Sequence, residues 1–242
     1  MNIIGRLSEI NELNRIMESS SSEFVMVYGR RRVGKTYLIR EYFSNKFAFY
    51  ATGIAQWTLQ EELMNFKLTL DATDDSVAKT GIRNWFEAFG TLARLLEKSK
   101  QRKKIVFLDE LPWMDTPRSN FIKALEHFWN GWATTRKDIV LIVCGSATSW
   151  IIEKIINNHG GLHNRLTKRI LLQPFTLKEC EEFVQAQGLV MSRMQIMEAY
   201  MIMGGIPFYW NFLQKGQSLA QNIDRLFFSK EGELKNEFDM LY

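Results

Sequence analysis

Apolar residues along this chain follow two spacings, and the pattern changes once. In the first 172 positions, short apolar runs alternate with stretches whose apolar residues recur every three or four positions. Phe24-Val25-Met26-Val27-Tyr28 is too short for a helix and too apolar for an edge, so it reads as a strand buried on both faces. Four more strands are predicted over 48–51, 105–108, 139–144 and 169–172. Helical spacing predicts 7–17, about 35–43, 58–70, 82–98 and 121–132, with Ser19-Ser20-Ser21-Ser22 as a loop. Strands alternating with helices imply βαβ units, a parallel sheet and helices on both faces. After Pro174 only helices are predicted, over about 177–186, 192–203, 208–214 and 219–228. The expected organisation is an α/β core over 1–173 and a small all-α lid over 174–242.

Candidate chemistry begins right after the first strand. Gly29-Arg30-Arg31-Arg32-Val33-Gly34-Lys35-Thr36 matches GxxxxGK[ST] at every fixed position, between a predicted strand and a predicted helix. Two glycines let the backbone curl so that successive N–H groups face one phosphate at the positive end of a helix. Lys35 would reach the β- and γ-phosphates, and the Thr36 hydroxyl would coordinate Mg²⁺. Arg30 to Arg32, Val33 and Tyr37 complete the expected nucleotide-contacting stretch. The three arginines would raise nucleotide affinity, present a basic edge to a partner or form a solvated face, and the solvated face is favoured.

A second polar pair ends the third strand. Asp109 closes the apolar run Ile105-Val106-Phe107-Leu108, so its carboxylate is expected at the carboxyl edge of the sheet, holding Mg²⁺. Glu110 follows, placed to polarise a water for in-line attack on the γ-phosphate. The fourth strand ends in Cys144-Gly145-Ser146-Ala147-Thr148. Ser146, with Thr148 second, is expected between that water and the γ-phosphate, or else serves as a loop residue or helix cap.

These motifs together resemble an AAA+-related P-loop ATPase and, more narrowly, the prokaryotic "archaeal ATPase" family in the STAND group of signalling NTPases. The resemblance implies a five-stranded sheet of order 5-1-4-3-2. It also implies that Ile4-Gly5-Arg6 lies against base and ribose, and that Gln173-Pro174-Phe175 leads into the lid. Pro207 of Gly204-Gly205-Ile206-Pro207 would pack near adenine. No arginine occupies the lid position that touches the γ-phosphate in many AAA+ enzymes. Arg165 resembles an arginine that precedes the last core strand, with a role toward phosphate in cis or from a neighbouring subunit, or as a solvated loop charge. Adenine is preferred to guanine only through this resemblance. It further implies a winged-helix or nuclease-like domain after residue 242, where Phe238, Leu241 and Tyr242 keep helical spacing.

Composition trims the alternatives. The 242 residues are 46% hydrophobic and 24% charged, which excludes a disordered chain. Lysine and arginine exceed aspartate and glutamate by 31 to 27, a net charge of +4 that permits DNA as a partner without demanding it. Cys144 and Cys180 form no disulfide framework and point to a reducing, cytoplasmic setting. No apolar run reaches membrane-helix length, so no membrane partner is expected. His127, His159 and His163 lack metal-ligand spacing. Trp113, Trp129, Trp132 and Trp150 read as helix–sheet packing. The function expected is ATP/ADP binding with slow Mg²⁺-dependent hydrolysis as a conformational switch, with nucleotide-dependent oligomerisation compatible. The rival is a nucleotide-gated scaffold or DNA-associated regulator with little turnover.

Overall fold

The computed structural model describes residues 3–74, 81–146, 150, 152–156, 162, 164–235 and 237. Strands β1 (Glu23–Tyr28), β2 (Phe49–Thr52), β3 (Lys104–Asp109), β4 (Ile139–Gly145) and β5 (Lys168–Leu171) form one parallel sheet. Its order is β2-β3-β4-β1-β5, the expected 5-1-4-3-2 counted from the other side. Every residue of β3 and β4 is buried, whereas the edge strand β2 alternates and the edge strand β5 buries only Ile170. Central strands covered on both faces must be apolar throughout. The five predicted strands all form within one residue of their expected bounds.

Registers fix what stands at each end. Lys104 pairs with Ile139, Glu23 with Val140 and Val25 with Lys168, so all five leading ends lie along one edge. Thr52 pairs with Asp109 and Tyr28 with Gly145, so Gly29, Glu110 and Ser146 follow at the other. The carboxyl edge collects the motif residues.

Helices α1 (Leu7–Glu18), α2 (Lys35–Tyr42), α3 (Leu59–Thr73), α4 (Trp85–Lys98), α5 (Leu111–Met114) and α6 (Phe121–Gly131) accompany the sheet. α3 starts where Thr58 and Glu61 exchange cap hydrogen bonds, and α4 where Asn84 accepts from Glu87 N–H. That cap explains why α4 begins later than the predicted 82. Phe66, Trp85, Phe89, Phe121 and Phe128 pack ring to ring, with Trp85 and Phe121 centroids 4.8 Å apart. Trp129 lies 4.9 Å from Phe24, and Trp132 and Trp150 pack on the same core, as expected for helix–sheet contacts.

The chain divides into two compact units. One holds Leu7–Arg30 and Lys35–Leu172; the other holds the segment ending at Arg6, Arg31–Gly34 and the chain from Gln173. In the second unit lie α7 (Leu177–Ala186), α8 (Arg193–Met203), α9 (Pro207–Trp210) and α10 (Leu219–Ile223). Capping boxes at Thr176, Ser192 and Ser218 start three of them. The predicted helix over 208–214 is a single turn. The one over 219–228 changes to a π-helix at Asp224–Phe228. There Ser229 N–H donates to Asp224 O, five residues back, and Leu226 is fully buried. Thr148, His159, His163, Phe238, Leu241 and Tyr242 lie outside the described residues.

Candidate nucleotide site

The loop after β1 turns at glycines for steric reasons. Gly29 has φ +144°, and a Cβ there would sit 2.4 Å from Leu172 O. Gly34 has φ +91° with nothing near it, so conformation rather than space demands glycine. Lys35 opens α2 and is buried; its Nζ donates to Gly29 O at 3.1 Å and Arg30 O at 2.7 Å. Those carbonyls compensate part of the cost of burying an ammonium.

Thr36 is one residue further along α2, and its Oγ1 donates to Asp109 Oδ2 at 2.7 Å. Asp109 is buried at the end of β3, and its Oδ1 accepts from Glu110 N–H at 2.9 Å. The hydroxyl and carboxylate form a hard-oxygen pair, the donor type Mg²⁺ prefers, so these two residues fit that ion. Asp109 also colours its surroundings. Burial, with the Asp109 charge adding to it, pushes the Cys144 thiol well above its ordinary range and raises the Tyr50 phenol. Both neighbours therefore remain neutral.

Glu110 is left-handed at φ 46° and ψ 47°, uncommon for a residue with a long side chain. It stands at the start of α5, and its Oε2 accepts from Ser146 Oγ at 3.3 Å. Glu110 and Ser146, 36 positions apart, are thus brought together. Tyr37 is largely exposed on α2, and partial burial, with the Glu41 charge adding to it, raises its phenol.

The remaining expected site residues belong to the second unit. Arg6 is buried: its Nη1 donates to Gln173 O at 2.6 Å, its Nη2 to Val33 O at 3.0 Å, and its guanidinium lies over Phe175. Gly5 has φ +63°, and a Cβ there would collide with the Glu179 carboxylate, which accepts from Arg6 N–H. Pro207 heads α9. A Cβ on Gly205 would lie 1.9 Å from Phe175 O, so this motif's second glycine is a close-approach residue.

Two expectations need revision. Arg30 and Arg31 are exposed, but Arg32 is not part of a solvated face. At φ +66° it ion-pairs with Glu237 and lies 4.6 Å over the Phe208 ring, while Glu237 accepts from Tyr209 OH at 2.8 Å. No sequence signal linked positions 32 and 237. Arg165 is exposed just ahead of β5, at the leading edge of the sheet. The phosphate loop follows the opposite ends of the strands, so a contact in cis is geometrically closed to Arg165.

A parallel sheet of this order, with a glycine loop after its first strand, defines a P-loop nucleotide-binding fold. Over residues 4–211 the chain matches the family described as "ATPase domain predominantly from Archaea", and it belongs to that family. It is 24% identical over 220 residues to the uncharacterized protein MJECL04 of Methanocaldococcus jannaschii, covering 88% of this chain and 46% of that one. The chain therefore spans about half the length of this curated relative. Its fold is similar to a Walker-type ATPase of Pyrococcus abyssi, with TM-score 0.69 and 20% identity, covering 99% of this chain and 75% of that one. It is also similar to a STAND protein with a tetratricopeptide repeat sensor from Pyrococcus horikoshii. There the TM-score is 0.62 and the identity 16%, covering 98% and 34%. Among the described residues no helix is long and apolar enough to cross a membrane.

Proposed function

We propose that the chain binds ATP on the loop Gly29–Tyr37 and hydrolyses it slowly with Mg²⁺, using the γ-phosphate as a conformational switch. The observation carrying this reading is the 2.7 Å bond from Thr36 to Asp109, beside the buried Lys35. It joins the phosphate loop to the end of β3 through the two groups suited to one metal ion. Lys35 would exchange its loop carbonyls for phosphate oxygens. Mg²⁺ held by Thr36 and Asp109 would neutralise charge on the β- and γ-phosphates. Glu110 would orient the attacking water and take its proton, with Ser146 holding the carboxylate in place.

Arg32 supplies the switch. It pairs with Glu237, and a γ-phosphate would compete with that carboxylate for the same guanidinium. Residues 1–173 would then serve as the nucleotide-binding core and 174–242 as the responding lid.

Single-turnover hydrolysis measured beside a calorimetric ATP titration tests the reading. Phosphate release that requires Mg²⁺ supports it. Tight binding without release replaces it with the nucleotide-gated scaffold. Glu237→Gln keeps an acceptor for Tyr209 but removes the charge, so ATP affinity should rise about two- to fivefold, under about 1 kcal/mol. An unchanged or weaker affinity removes Arg32 from the switch.

A further inference from the structure

The edge opposite the phosphate loop is also unusual. All five strands start there, and the segments leading into four of them are cationic. Lys46 precedes β2; Lys100, Arg102, Lys103 and Lys104 lead into β3; Arg136 and Lys137 into β4; Arg165 and Lys168 into β5. Ser19–Glu23 leads into β1, which lies between β4 and β5. Over these five segments nine cations face two carboxylates, Glu23 and Asp138, a net of +7. The whole chain is only +4, so everything else sums to −3. The positive charge is concentrated on one edge.

Its layout is held in place. Lys103 Nζ donates to Ser21 O and Lys137 O, at 2.8 and 2.9 Å, joining the segments ahead of β1 and β4. Ser22 Oγ donates to Arg136 O and accepts from Ile139 N–H. Asp138 is shared by Arg136 and Lys104, and Lys168 pairs with Glu12. Lys46, Lys100, Arg102, Lys137 and Arg165 remain exposed, with no ion pair among the described residues. Five strands give four spacings of about 4.8 Å, a strip roughly 19 Å long. Exposed Ser20 and Ser21 add hydroxyl donors near its centre.

We propose that this amino edge is a docking strip for the phosphate backbone of duplex DNA. Charge complementarity selects a polyanion: a duplex carries one charge per about 1.7 Å, roughly eleven over the strip. The aromatic residues nearby are taken up by packing, Phe47 against Phe43, Tyr50 and Phe107 and Trp132 against Phe128 and Arg136. Among the described residues the strip therefore offers no platform on which single-stranded bases stack, and no apolar wedge for a lipid interface. Contacts of this kind are indifferent to sequence. The proposal does not depend on the nucleotide reading, because the two sites occupy opposite ends of the strands.

The test is fluorescence anisotropy with a short labelled duplex of mixed sequence over a salt series. With five exposed cations engaged, log K should fall against log[salt] with a slope near −4.5. The variant Lys100→Glu/Arg102→Glu/Lys137→Glu should lose at least tenfold in affinity and flatten that slope, with ATP affinity and the thermal melt unchanged. Lys46→Glu/Arg165→Glu, at the ends of the strip, should lose less. Parental affinity in the triple variant overturns the proposal. So does tighter binding to phosphatidylserine vesicles than to the duplex, or displacement of the duplex by polyglutamate at equal charge.

Discussion

The two edges of the sheet handle charge in opposite ways. At the carboxyl edge, Lys35 and Asp109 are buried and hydrogen-bonded to neighbouring protein groups. At the amino edge Lys104 is buried against Asp138, but Lys46, Lys100, Arg102, Lys137 and Arg165 are exposed and hydrated, with no ion pair among the described residues. A buried charge has lost its water and must be matched atom by atom, so each substitution there should act on one step of the chemistry. A hydrated charge is nearly free to carry, and its effect is collective and screened by salt. The first edge is read from individual bonds, the second from a sum.

The sharpest way to break this contrast is Glu110→Gln, which should slow single-turnover hydrolysis about a hundredfold while ATP and Mg²⁺ still bind. A parental rate would remove Glu110 from the chemistry and leave its left-handed backbone without a functional reason. Next comes Lys35→Ala, expected to weaken ATP binding at least tenfold, about 1.4 kcal/mol, without a change in the thermal melt. Unchanged affinity by calorimetry would mean that the loop does not hold phosphate.

The smallest effect belongs to the amino edge and is a pH effect. The Arg136 guanidinium, followed by Lys104, holds the Asp138 carboxyl well below the usual carboxylate range. Its folded pKa lies below the unfolded value of about 3.9, so its contribution is present above that pH and fades as pH falls further. Asp138→Asn should therefore lower the urea midpoint at pH 7, with the gap to the parent narrowing below about pH 4. A gap that persists unchanged into strong acid would show that packing, not charge, is at stake.

Most of the sheet and the phosphate loop were legible because local signals agreed with each other. A fully buried strand has no polar face to disguise it, and a glycine loop between strand and helix has few other readings. Asp109 could be found because it ends such a strand. What stayed hidden was set by distance along the chain. Arg32 lies in the motif, yet its partner Glu237 is some two hundred positions away, and neither residue is unusual in its own neighbourhood. Likewise the +7 edge is assembled from five short segments, only one of which is strongly basic by itself. Helix ends in the second unit were misjudged where the backbone bonding changes from four residues back to five, at Asp224–Phe228.

The strand order has a consequence for timing during synthesis. Strand β1 is made first but sits between β4 and β5, and its register partner for Glu23 is Val140, 117 positions later. At about 5–20 residues per second, a ribosome needs roughly 6–23 s to deliver that neighbour. For that interval Phe24, Val25, Met26 and Val27, all fully buried in the finished protein, have neither adjoining strand to pair with. Of the five strands, the one made first waits longest for a neighbour.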